Sequence, residues 1–77
     1  MSKTYSGKYI IKILEKFFGF KVVSQKGSHI KLEKMVDKGE KIITIVPNHK
    51  ELQNGTLSGI LNLAKIDKSD FLKVIKK

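Results

Sequence analysis

The stretch Gln25-Lys26-Gly27-Ser28-His29-Ile30-Lys31-Leu32-Glu33 decides how this chain folds. Lys26-Gly27-Ser28 has the composition of a tight hairpin turn, and His29 stands at the mouth of the strand that follows. Successive side chains alternate across a pleated strand. Ile30 and Leu32 therefore face one side, while His29, Lys31 and Glu33 face the other. With Ile30 and Leu32 on the core, His29 lies on an open face beside a cation. Imidazole exchanges protons near neutral pH, so a histidine in that position is a candidate general acid or base.

Reading outward, Phe20 to Gln25 is the preceding strand, with Phe20 and Val22 on one face. Before it, Ser6 is placed to cap a helix in which Tyr9, Ile10, Ile13, Leu14, Phe17 and Phe18 recur at helical spacing, and Gly19 suits a left-handed stop. After the second strand (His29 to about Lys34), Asp37-Lys38-Gly39-Glu40 is a turn. Ile42-Ile43-Thr44-Ile45-Val46 is rich in branched residues and predicts a third, well-buried strand, closed by Pro47, which has no N–H for a ladder. The segment 47–54 is a loop with room for one helical turn. Asn54 or Thr56 opens a second helix, with Leu57, Ile60, Leu61 and Ala64 as its stripe; Gly59 inside it points to close packing. Asp67 starts a short last helix in which Phe71, Leu72 and Ile75 pack back. Short links make the strands antiparallel. The expectation is an α+β domain over residues 1–77, with both main helices on the Ile30/Leu32 face and His29 and Lys31 on the free one.

Composition narrows the function. At 77 residues the chain buries about 60% of its unfolded surface. Without cysteine there is no disulfide framework, thiol nucleophile or cysteine zinc site, which suits a reducing cytoplasm. The polar N-terminus and the lack of a long apolar run predict neither an export leader nor a membrane span. Sixteen lysines, spread from Lys3 to Lys77, face seven acids with no arginine, for a net charge of +9. This is either a solvated surface or one that attracts a polyanion, most simply nucleic acid. Lysine is a point charge without arginine's planar fork, so it suits phosphate contact better than base reading.

Five blocks then carry a resemblance: Ser6-Gly7-Lys8, Gly19-Phe20, Gln25-Lys26-Gly27-Ser28-His29, Thr44-Ile45-Val46-Pro47-Asn48-His49, and Gly55-Thr56-Leu57 followed by Ile60-Leu61. Together they make the chain similar, over nearly its whole length, to the HicA toxin family of toxin–antitoxin pairs. The resemblance implies a double-stranded-RNA-binding-domain-like fold: a helix, a three-stranded antiparallel sheet, a helix and a short C-terminal helix. It also implies a ribosome-independent messenger RNA interferase, a HicB-type antitoxin as protein partner, and His29 as the catalytic residue. Two departures stand out. No basic residue lies near Gly59, and the chain reads Ala64-Lys65-Ile66 where the family often reads Ala-Gly-Ile.

RNA brings its own nucleophile, the 2′-hydroxyl. An enzyme then has only to position the strand, move protons and neutralise the phosphate. His29 in that role implies metal-free transesterification, with a 2′,3′-cyclic phosphate and a 5′-hydroxyl as products. By residue type alone His29 is equally a surface turn histidine, and Lys31 is either a phosphate contact or a solvated lysine. Lys8, Lys26, Gly27, Ser28 and Lys31 complete the expected RNA-binding set, with Gly27 permitting positive φ and close approach of a strand. His49, after a proline in a loop, is expected to fix that loop, with direct catalysis as the alternative. No cofactor is expected, and no metal site, since neither histidine has a carboxylate at ligand spacing. Tyr5 and Tyr9 are candidates for stacking on bases, although Tyr9 also fits the helix stripe. The rival reading is a non-catalytic RNA-binding module of the same fold.

Overall fold

The computed structural model describes residues 4–75; Lys3, Lys76 and Lys77 of the lysine set lie outside them. The elements follow the order α1 (Gly7–Phe17), β1 (Lys21–Lys26), β2 (His29–Met35), a 3-10 turn (Asp37–Gly39), β3 (Lys41–Pro47), α2 (Asn54–Ala64) and α3 (Lys68–Ile75). The strands form one antiparallel sheet in the order β1-β2-β3. This is the expected α+β layout.

Local chemistry accounts for the boundaries. The Ser6 hydroxyl accepts the Tyr9 N–H at 3.0 Å and caps α1, and Gly19 at φ 77° turns the chain out of it. Only two residues link β1 and β2. Gly27 has φ 59° while Ser28 stays at negative φ, the pattern of a II′ turn with glycine first. The left-handed stop of α2 falls on Lys65 (φ 58°, ψ 42°), a conformation that glycine adopts most readily. At β-branched-free Lys65 the conformation is tolerated, but a Cβ there costs on the order of 1 kcal/mol relative to glycine.

The core lies between the sheet and the helices. Ile10, Ile13 and Leu14 from α1, Phe20, Ile30, Leu32 and Val46 from the sheet, Leu52 from the loop, Leu57, Ile60, Leu61 and Ala64 from α2, and Phe71 from α3 form one buried cluster. Each large aliphatic side chain buried there contributes about 1.5–3 kcal/mol. The one buried polar side chain among the described residues, Thr44, donates its hydroxyl proton to the Ile60 carbonyl at 2.9 Å and so joins β3 to α2.

The structure corrects several expectations. The run 42–46 is buried on one side only: Thr44 and Val46 point inward, while Ile43 and Ile45 stay exposed. Val22 pairs with Leu32, yet all of β1 is exposed, because α2 packs over β3 and leaves β1 at the rim, with a register irregularity between Val22 and Ser24. Tyr9 and Phe17 flank the α1 stripe and remain exposed, as does Leu72 on α3. Gly59 borders open space, so close packing does not explain it.

Candidate functional site

β2 is the central strand, so each residue on its open face has a neighbour on both sides. Register places Lys26, His29 and Pro47 in one row, Ser24, Lys31 and Ile45 in the next, and Lys21, Glu33 and Ile43 in the third. A shallow hollow in this face is lined by Ser24, Lys26, His29, Lys31 and Ile45. His29 is exposed, and Lys31 is half-buried between its two neighbours.

The charge around His29 is positive. Lys26 stands across from it in the ladder and Lys31 lies two residues along the same face. The acid of this face, Glu33, lies a further two residues away, about 13 Å from His29 along the strand. It is engaged by Lys41 at 3.8 Å. Glu33 therefore leaves the Lys26 and Lys31 charges free to meet an anion, and it is too distant to orient the imidazole.

Backbone contacts fix the end of the sheet that carries His29. The Asn48 N–H donates to the Ser28 carbonyl at 2.6 Å, which pins the loop after β3 to the hairpin turn. The Gly7 N–H donates to the His49 carbonyl at 2.8 Å, giving one of the free donors at the start of α1 a partner. Gly7 itself lies directly against Pro47; a Cβ at this position would overlap the Pro47 carbonyl. Further along, the Leu52 N–H donates to the Tyr5 carbonyl at 2.8 Å, and the Thr4 hydroxyl donates to Glu51 at 2.9 Å. The loop is thus held by its backbone at three points, and His49 contributes its carbonyl while its side chain stays exposed.

Of the residues expected from sequence, the structure brings Lys26, His29 and Lys31 together in the hollow. Gly27 and Ser28 form the turn beside it, and the Gln25 side-chain amide donates to the Gly27 carbonyl at 3.0 Å. Lys8 is exposed at the start of α1, on a helix that packs against the covered side of the sheet, and does not line the hollow. Tyr5 and Tyr9 stack on each other (centroids 5.4 Å apart, planes at 14°), and Tyr5 meets the Phe71 ring edge-on at 6.2 Å. Their first partners are therefore aromatic rings of the protein itself. Ser24 and Ile45 went unread in the sequence; their signal is the period of two that sets them in the row of Lys31. Among the described residues no group of three or more histidine, cysteine or acidic side chains is placed to hold a metal ion, and no helix is long and apolar enough to cross a membrane.

A helix, a three-stranded antiparallel sheet with one open basic face, and two following helices define a small α+β domain built to present that face. The chain matches, over residues 7–66, the family model described as HicA toxin of bacterial toxin-antitoxin systems, and it belongs to that family. Membership makes it the toxin of a toxin–antitoxin pair whose partner is a HicB-type antitoxin. Neither the curated proteins nor the solved structures contain a significant match to the chain.

Proposed function

We propose that this toxin is a metal-independent, ribosome-independent endoribonuclease acting on messenger RNA, with His29 as its catalytic residue. The observation that carries the reading is the hollow in the open sheet face, whose lining brings an exposed histidine together with Lys26 and Lys31 in a member of a toxin family. In the reaction the 2′-oxygen attacks the adjacent phosphorus, the 2′-O–P bond forms and the P–O5′ bond breaks. The 2′-hydroxyl loses its proton and the 5′-oxygen gains one. His29 exchanges a proton with one of these two oxygens, while Lys26 and Lys31 offset the charge that builds on the phosphate. Lys8, Gly27 and Ser28 belong to the wider RNA-binding surface, and the domain acts in the cytoplasm, where its substrate is made.

The test is purified protein incubated with a long single-stranded RNA in EDTA, beside the His29→Ala variant. Cleavage by the parent with 2′,3′-cyclic phosphate ends, and about a hundredfold less or lower still by the variant, is the expected result. Equal cleavage by both removes His29 from the chemistry. Intact RNA from both, with a salt-sensitive shift in a gel, makes the protein a binding module instead.

A further inference from the structure

The hollow is two-sided. On its β1 side stand Lys26 and Ser24, and on its β3 side stands Ile45, with Pro47 next along the same face. Each pairs with a polar residue of the central strand: Ile45 with Lys31, and Pro47 with His29. Ile45 keeps 43% of its surface exposed although the residues on either side of it in the chain, Thr44 and Val46, are fully buried. Ile43 continues the same apolar column at 38% exposure. The open face therefore carries an apolar column beside its cations.

A nucleotide has the same two-sided chemistry as this hollow. Its phosphate is anionic and its base presents a flat, weakly polar face. Laid across β2 with the phosphate toward Lys26 and Lys31, a nucleotide places its base over the β3 column. We infer that Ile45 is a substrate-binding residue that seats the base on the 5′ side of the cleaved bond, and so holds the attacking 2′-hydroxyl near His29. This inference rests on the ribonuclease reading and adds to it the part of the substrate that the apolar half of the site grips. An aliphatic surface offers no hydrogen-bond pattern, so the seat accepts any base and favours those with the larger face. Binding the base positions the reacting group, and the loss of such positioning appears in kcat/KM.

The experiment removes the base and the side chain separately and then together. The RNA bond most readily cut by the parent is placed in a 2′-O-methyl oligomer with one free 2′-hydroxyl, at that bond alone. A second oligomer carries an abasic ribose there. The parent is expected to cleave the abasic oligomer about tenfold more slowly, in keeping with the burial of one aliphatic side chain against a base. Ile45→Ala is expected to lose about tenfold on the intact oligomer and nothing more on the abasic one, while Ile45→Leu stays near the parent. If base removal still costs Ile45→Ala the full tenfold, or if Ile45→Ala matches the parent on the intact oligomer, the base seat is overturned. In that event His29-dependent cleavage by the parent leaves the ribonuclease reading standing. A parent that leaves both oligomers and the long RNA intact overturns that reading and the seat with it.

Discussion

The two faces of the sheet are made of the same three strands and differ in almost everything else. On the covered face Ile30, Leu32, Thr44 and Val46 are buried, and the polar member of the set has its hydrogen bond. On the open face, between those same residues, stand His29, Lys31, Ile43 and Ile45, with Lys26 and Ser24 beside them. One step along the chain exchanges a residue whose work is packing for one that meets solvent. Buried and open residues are thus divided by the pleat, and on the proposed function stability and chemistry can each be altered while the other is left in place.

The sharpest way to break that division is through His29. His29→Ala is expected to lower RNA cleavage by about a hundredfold or more, the usual range for loss of a general acid or base, with the melting temperature unchanged. A large fall in melting temperature would show that the open face also carries stability. Its neighbour gives the converse. Leu32→Ala, at a fully buried site, is expected to cost about 2–5 kcal/mol in denaturant unfolding, while the folded fraction still cleaves RNA at the parent rate.

Gly7 sharpens the comparison at the point where the two faces are tied together. Gly7→Ala has to displace the Pro47 carbonyl, and about 1–3 kcal/mol of destabilisation is expected. Pro47 is the ladder partner of His29, so a drop in kcat/KM measured well below the melting temperature should accompany it. Lys31→Gln touches only the open face. It is expected to weaken RNA binding severalfold and to lower the slope of log affinity against log salt by about 0.7, the value for one phosphate contact on a single strand. The smallest effect expected is a gain. Lys65→Gly relieves the left-handed residue at the end of α2 and should add about 0.5–1 kcal/mol of stability with cleavage unchanged.

Much of this was legible from residue order. The hairpin around Gly27, the α1 cap at Ser6, the stripe of α2 and the direction of His29 follow from local rules, because each depends on neighbours a few positions away. The misreadings share a different cause. A run such as Ile42–Val46 looks buried on both faces, and only the one-sided placement of the helices shows that Ile43 and Ile45 face water. Tyr9 and Phe17 fit the period of α1, but the stripe is wider than the surface that covers it, so its margins stay exposed. Lys26 and Lys31 joined the hollow because they share a ladder with His29. Lys8 did not, because its helix packs against the other side, a matter of tertiary arrangement that spacing cannot express. Ile45 escaped notice for a related reason: a branched aliphatic in a strand is ordinarily read as core.

Among the described residues His29 is open to solvent, with no segment folded over it. On the proposed ribonuclease reading, a protein built this way is competent from the moment it folds. Restraint in a toxin–antitoxin pair then becomes a question of stoichiometry: what counts is how many copies exceed the supply of partner, and how quickly that excess changes when synthesis of the two falls out of step.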